Sequence, residues 1–320
     1  MKRWVIGVDL GGTKIAFGVM DAEGNIAARL TRPTLPGEGV GPVISRISGG
    51  ITEVMATLGI AAGDVRGIGI GSPGPLNPVS GVVIFAPNLK WHNVPVKDMV
   101  EAELGIPVYL ENDANLAALG ELRFGAGQGA KNMIYITVST GIGGGIIING
   151  DVYSGSTFVA GEVGHTIIKP DGPQCGCGQY GCLEAMASGT AIARMAREAI
   201  AAGEKTMIRE IAGGDAGVNA EVVARATLAG DGVALAIIRE AATYLGLGVT
   251  NLVNILNPEV VVIGGGVSRI GDMLFDTVRT TVRERAVEGA REAVRIVPAQ
   301  LGSDAGIVGA ATLALKLAPA

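Results

Sequence analysis

The stretch Val5-Ile6-Gly7-Val8-Asp9-Leu10-Gly11-Gly12-Thr13-Lys14-Ile15-Ala16-Phe17-Gly18-Val19-Met20 decides the fold. Val5 to Asp9 reads as a short buried strand, Gly11 to Lys14 as a tight turn, and Ile15 to Met20 as a second strand. Asp21 to Asn25 makes a hairpin turn into a third strand, Ile26 to Thr31. The chain then alternates. Helical spacing runs from Val40 to Leu58, with Val43, Ile44, Ile47, Ile51, Val54, Met55 and Leu58 on one face. A strand follows at Val65 to Gly71, a short helix at Val96 to Leu104, a strand at Pro107 to Leu110 and a helix at Ala114 to Glu121.

The pattern then restarts. Met133 to Val138 is a strand, Ser139 to Gly145 a glycine turn and Gly145 to Ile148 the returning strand. Helices are predicted at Ala185 to Ala202, Ala220 to Ala229, Val233 to Ile255 and Met273 to Val287, with a closing helix at Ile307 to Leu317. Strands fall at Val260 to Ile263 and Val294 to Val297. Two successive units, each opening strand–glycine turn–strand, indicate an internally duplicated α/β fold. A cleft between such units is the expected ligand site.

Composition narrows the function. The chain has 320 residues, 25 Lys plus Arg against 30 Asp plus Glu, and a formal net charge of -5, which argues against a nucleic-acid binder with a basic surface. Hydrophobic residues make up 48%, enough for a sizeable core. Mean hydropathy is +0.42, yet no uninterrupted apolar run reaches the length of a membrane span. The apolar start breaks off at Asp9, too short for a signal peptide, so a soluble cytoplasmic protein with no membrane partner is expected. With 3 cysteines, a disulfide framework is not indicated.

Asp9-Leu10-Gly11-Gly12-Thr13-Lys14 has the chemistry of a phosphate grip. Glycines let backbone N–H groups converge on oxyanions, Thr13 adds a hydroxyl, Lys14 a charge, and Asp9 a carboxylate for Mg²⁺ or its waters. An ordinary hairpin with glycines at positive φ is the alternative. Thr137 to Gly145, containing Thr140 and Gly141, is a second turn of this kind. Gly264-Gly265-Gly266 is a third, where bare backbone lets a flat base lie close. No P-loop is present. Gly69 to Gly74 matches G-x-G-x-x-G, but Pro73, Pro75 and Pro78 prevent the helix that a dinucleotide motif must open. Ser72 to Pro75 is read as a rigid loop.

All three cysteines lie in Cys175-Gly176-Cys177-Gly178-Gln179-Tyr180-Gly181-Cys182, with His165 just upstream. Three thiolates and an imidazole make a closed tetrahedral zinc set, so the site reads as structural. If one ring nitrogen of His165 holds zinc, the other carries its proton and can donate to a ligand. His92, in Asn88 to Asn93, is read as a surface-loop residue. Glu111-Asn112-Asp113-Ala114-Asn115 follows a strand and opens a helix, so Asp113 is either a helix N-cap or a base at the strand's carboxyl end. Glu162 and Glu184 place carboxylates beside the cysteine cluster, where carboxylates and amides together suit a polyhydroxylated ligand.

Taken together, these motifs resemble the ROK family of bacterial sugar kinases, most closely its ATP-dependent glucokinases, over nearly the whole chain. Glu162-Val163-Gly164-His165 and the run from Cys175 to Glu184 are the most specific segments, joined by Pro87-Asn88-Leu89 and Glu111 to Asn115. The resemblance implies an actin-like (hexokinase-type, ribonuclease H-like) duplicated two-domain α/β fold with a cleft between domains. Residues 1–119 would form the smaller domain, with 305–320 packing back on it; 120–304 would form the larger one, with a zinc-binding loop at 165–184. Asp113 would be the general base for the sugar 6-hydroxyl. Gly74, Asn88, Asn112, Asp113, Glu162, His165 and Glu184 would hold the sugar. Asp9, Gly11, Gly12, Thr13, Lys14, Thr140, Gly141, Gly265 and Gly266 would bind the nucleotide and its phosphates. His165, Cys175, Cys177 and Cys182 would bind structural Zn²⁺, with ATP and Mg²⁺ as further cofactors. A homodimer or homotetramer without nucleic acid is implied. Kinases for N-acetylmannosamine, fructose or allose are the rival within the family. A sugar-responsive regulator is a further alternative, but no DNA-reading element precedes the first turn.

Overall fold

The first hairpin explains how one strand can be buried on both faces. In the computed structural model, which describes residues 3–319, β1 (Trp4–Leu10) pairs antiparallel with β2 (Lys14–Met20), and β2 with β3 (Ile26–Pro33). After α1 (Val40–Ala56), β4 (Val65–Ser72) joins β1 in parallel. The short β5 (Leu76–Asn77), β6 (Val82–Ala86) and β7 (Trp91–Val94) make a small sheet of their own. Then come α2 (Val96–Leu104), β8 (Val108–Asn112), parallel to β4, and α3 (Asp113–Phe124). The five-stranded sheet has the order β3-β2-β1-β4-β8.

Along β1, Ile6, Val8 and Leu10 share a core with Val43, Ile44, Ile47 and Ile51 of α1. The opposite face meets the closing helix Ala305–Leu317, where Val5 packs with Val308, Ala311 and Ala314. Gly18, Gly7 and Gly69 stand side by side across β2, β1 and β4. A Cβ on Gly7 would overlap the Ile307 carbonyl oxygen, and one on Gly69 the Ala310 carbonyl. The row of glycines lets helix backbone lie directly on the sheet. Part of the content of 51 glycines among 320 residues is therefore close packing rather than turns. The fully buried Glu121 accepts backbone N–H bonds from Ala126 (2.8 Å), Gln300 (2.9 Å) and Leu301 (2.8 Å), tying the end of α3 to the segment that leads into the closing helix.

The second sheet repeats the first. It contains β9 (Met133–Val138), β10 (Ile142–Ile148), β11 (Asp151–Val152), β12 (Val260–Gly264) and β13 (Arg295–Pro298), in the order β11-β10-β9-β12-β13. Here too a hairpin strand is followed by parallel neighbours. Its helices are α4 (Leu183–Ala187), α5 (Gly189–Ala201), α6 (Ile208–Ala212), α7 (Ala220–Leu228), α8 (Gly232–Leu256), α9 (Asp272–Arg285) and α10 (Glu288–Ala293), and the closing helix is α11. By its contacts the chain separates into one compact unit of residues 1–131, 145–161 and 300–320, and another of 132–144 and 162–299. The expected duplication is thus present, down to the strand order.

The helix α8 is long and apolar enough to cross a membrane by length and composition. Its Ile238, Ala242, Leu245, Val249 and Val253 are instead core residues of the second unit.

Three local readings need correction. The helix expected over Ala185–Ala202 is two helices: Ser188 is extended (φ -73, ψ 169), and its hydroxyl caps α5 at the Ala191 N–H. A serine before a glycine is better placed as a cap than inside a helix. Asn88 to Asn93 is regular rather than a loop: a 3-10 turn at Pro87–Leu89 leads into β7, where Trp91 is 1% exposed, although Asn88, Lys90, His92 and Asn93 do lie at the surface. Finally, the second glycine turn is shorter than read, because Gly143-Gly144-Gly145 already belongs to β10. The glycine at 145 has a packing reason, since a Cβ there would press on the Ala118 side chain of α3 and the Ala114 carbonyl.

Candidate active site

In the first unit, β1, β4 and β8 are parallel, and their carboxyl ends bring the candidate residues to one edge of the sheet. The register sets Asp9 beside Gly71, Gly71 beside Glu111, and Ser72 beside Asn112. In open α/β sheets this edge is where ligands bind. The Gly11–Lys14 turn closes with Gly11 N–H donating to the Lys14 carbonyl at 2.9 Å. Gly12 lies against Asn88: a Cβ there would come within 3.0 Å of the Asn88 Cβ. Thr13 and Lys14 are exposed. Burial pushes the Asp9 carboxyl above the usual range, while the charge of Lys14 pulls it back down. Gly74 has φ +90, and a Cβ on it would overlap the Phe85 carbonyl, so the loop after β4 folds tightly onto β6. No helix opens there, in keeping with the exclusion of a dinucleotide motif.

Asp113 is not the N-cap of α3. Asn112 is the N-cap: its Oδ1 accepts from Ala114 N–H at 2.9 Å and Asn115 N–H at 3.3 Å. Asp113 is the first helical residue and is exposed, with Oδ1 accepting the Ala114 N–H at 2.8 Å. Beneath it, the buried Glu111 accepts from Asn112 N–H at 2.9 Å and Asn115 Nδ2 at 3.0 Å. Burial raises the Glu111 carboxyl, and these two bonds oppose that shift.

In the second unit, Thr140 and Gly141 follow β9, and Gly265 and Gly266 follow β12, at the carboxyl ends of paired parallel strands. Gly265 has φ +87, and a side chain there would overlap the Val138 carbonyl. A cavity of about 700 Å³ opens beside these turns, lined by Ser139, Thr140, Gly266, Asn219, Arg225 and Arg269, among others. A smaller one of about 320 Å³ lies against Thr140, Gly141, Cys175, Gly176 and Glu184.

His165, Cys175, Cys177 and Cys182 bring one ligand atom each to within 4.8 Å of one another. The His165 Nδ1 is 3.8 Å from Cys175 Sγ, and Cys177 Sγ is 3.7 Å from Cys182 Sγ. Two sulfurs on one tetrahedral zinc ion lie about 3.8 Å apart, so the set fits the metal as well as the donor chemistry does. These thiols are free, and the sulfur separation is far beyond a disulfide. Burial pushes Cys175 up to about 12 and raises Cys182, whereas the Gln179 backbone N–H lowers Cys177. With Nδ1 on the cluster side, His165 Nε2 points toward the exposed Glu162, 3.9 Å away.

Some residues that shape the site were not singled out from sequence. Thr34, fully buried, holds the first turn twice: its hydroxyl donates to the Gly11 carbonyl (2.6 Å) and its N–H to the Thr13 carbonyl (2.9 Å). It reaches the turn only through the β2–β3 register, which local spacing does not reveal. Thr190 similarly donates its hydroxyl to the Thr140 carbonyl at 2.8 Å. Asn219, Arg225 and Arg269 join the large cavity from helix and turn positions that carry no local motif; the Asn219 cap of α7 is the one local signal.

The chain is similar to known proteins over nearly its whole length. A glucokinase from Thermotoga maritima is 40% identical over 98% of this chain and 97% of its own. The xylose repressor of Caldicellulosiruptor bescii is 36% identical over 79% of this chain and 63% of its own. A crystal structure of a ROK family glucokinase from Streptomyces griseus, in complex with glucose and AMPPNP, superposes with a TM-score of 0.81 at 40% identity, covering 98% of this chain and 99% of that one. The ROK family model matches residues 5–317, and the chain belongs to the ROK family.

Proposed function

We propose that the protein is a glucokinase that transfers the γ-phosphoryl group of ATP to the 6-hydroxyl of glucose, working in the cytoplasm as a homodimer or homotetramer. The observation that carries the mechanism is the division of labour at the start of α3. Asn112 is the N-cap, and Asp113 is an exposed carboxylate at the carboxyl edge of the parallel strands, oriented by the bond from the Ala114 N–H to its Oδ1. Similarity over the full chain to glucokinases supports the choice of sugar.

Asp113 accepts the proton of the sugar 6-hydroxyl as its oxygen forms a bond to the γ-phosphorus and the bond to the ADP oxygen breaks. Phosphoryl transfer of this kind is catalysed mainly by positioning and charge neutralisation. The backbone of Gly11 and Gly12, with Thr13 and Lys14, holds phosphate oxygens, as do Thr140 and Gly141. The large cavity takes the nucleoside, with Gly265 and Gly266 offering bare backbone to the base. Asp9 would hold Mg²⁺ or its waters, and that ion supplies neutralisation of phosphate charge. Asn88, Asn112, Glu162, His165, Glu184 and the Gly74 backbone bind sugar hydroxyls. The Asn112 Nδ2 suits this role, because its Oδ1 is committed to the helix cap. Zinc on His165, Cys175, Cys177 and Cys182 would fix the His165 ring and present Nε2 as a donor.

The test is ADP release from Mg²⁺-ATP across a panel of glucose, fructose, allose and N-acetylmannosamine. Strong dependence on glucose is the expected result. Turnover on another sugar alone moves the specificity, and no sugar-dependent turnover with zinc present overturns the kinase reading.

A further inference from the structure

Glu184 does more in this structure than face a sugar. Its Oε2 accepts the Ile142 N–H at 2.9 Å, and its Oε1 lies 3.5 Å from the Cys175 sulfur. A Cβ on Gly141 would overlap Oε2, so the bare glycine is what lets the carboxylate sit under the turn. Ile142 is gripped from its other end as well. A Cβ on Gly164 would overlap the Ile142 carbonyl, so the backbone next to His165 lies directly on it. Each grip is one or two residues from a cluster ligand, Gly164 beside His165 and Glu184 after Cys182. The two arms are themselves joined, since Leu183 N–H donates to the Thr166 carbonyl at 2.8 Å and Ile167 pairs with Cys182. On its far side the turn lines the larger cavity through Ser139 and Thr140, and Thr140 lines both cavities.

We propose that Glu184 is a positioning residue for the turn Ser139-Thr140-Gly141, and that through it the cysteine–histidine cluster sets the shape of one wall of the larger cavity. The cluster then governs nucleotide binding as well as sugar binding. Only this last consequence rests on reading that cavity as the nucleotide site.

The link is tested first on the zinc-loaded protein without sugar or nucleotide, by hydrogen exchange at the Ile142 amide. Losing one hydrogen-bond acceptor is expected to speed exchange there by about tenfold. Glu184→Ala should do this, removal of the metal should do it too, and the two together should do little more than either alone. Glu184→Gln keeps an acceptor oxygen and should retain most of the protection. Amides of β12 report whether each form is still folded. The proposal is overturned if Glu184→Ala leaves Ile142 protected, or if metal removal opens the Cys175–Cys182 segment without reaching Ile142. ADP affinity, measured by calorimetry without sugar, should fall about 3- to 10-fold in parallel with the exchange. If no form binds ADP while the exchange result holds, the nucleotide reading fails and the link stands.

Discussion

The two glycine turns hold equivalent places in two sheets of the same strand order, yet they are braced by different chemistry. The first is held by a neutral buried residue, Thr34, through one hydroxyl and one backbone bond. It carries its own charges at the mouth, in Asp9 and Lys14. The second carries no charge within the turn. It is held by the first residues of α5, where Gly189 N–H donates to the Ser139 carbonyl at 2.7 Å, and by the Glu184 carboxylate. Duplication therefore left one turn held by a buried threonine beyond β3 and one held by α5 and by a carboxylate two residues from the cysteine–histidine cluster. The lesson is that a repeated backbone motif does not carry its supports with it: those come from whichever element happens to pack behind.

The largest expected effect breaks the chemistry and leaves both turns intact. Asp113→Asn should lower kcat by about 10²–10⁴, the usual worth of a positioned base, with AMPPNP affinity near that of the parent. Steady-state kinetics and calorimetry check the two halves. Next, Lys14→Ala removes the charge that only the first turn owns. It should cost about 10² in kcat/KM for ATP, as loss of one preorganised donor to phosphate oxygens does, and this loss should not depend on metal content. Cys177→Ser attacks the other side of the comparison. It should lower zinc retention in metal analysis and destabilise the second unit, seen as a lowered thermal midpoint. Thr34→Val is the matching test on the first turn: about 1 kcal/mol of stability for the lost hydroxyl bond, with a few-fold rise in KM for ATP.

The smallest effect concerns Glu111. Burial raises its folded-state pKa, so the folded protein holds this proton more tightly than the unfolded chain does. The stabilisation is fully present at low pH, below the unfolded-state pKa, and is lost as pH rises through the folded-state value. Glu111→Gln keeps the acceptor for Asn112 and Asn115. It should therefore be nearly neutral in acid and stabilising at neutral pH by up to about 1 kcal/mol. Urea denaturation at several pH values checks this. A variant no more stable than the parent at neutral pH would contradict it.

The sequence carried both hairpins because strand–glycine turn–strand is written in consecutive residues. The cysteine cluster was legible for the same reason: its candidate ligand residues, His165 aside, lie within one short window. What stayed hidden depends on register or distance. Thr34 reaches Gly11 only because β3 pairs with β2, and Glu184 reaches Ile142 across 42 positions. The small sheet around Trp91 was missed because strands of a few residues, interrupted by Pro87, show too little alternation to be told from a loop. Spacing alone does not say whether Asn112 or Asp113 caps α3, because adjacent Asn and Asp both cap well and only backbone geometry chooses between them.

Phosphoryl transfer to a glucose hydroxyl with Asp113 as base is what we propose. It is tested most directly by ³¹P NMR of the product formed from Mg²⁺-ATP and glucose by the zinc-loaded protein and by Asp113→Asn. Glucose 6-phosphate is expected from the first and at most a trace, on the same timescale, from the second, although both bind AMPPNP. Phosphate on another hydroxyl, inorganic phosphate alone, or equal product from the two proteins would contradict it.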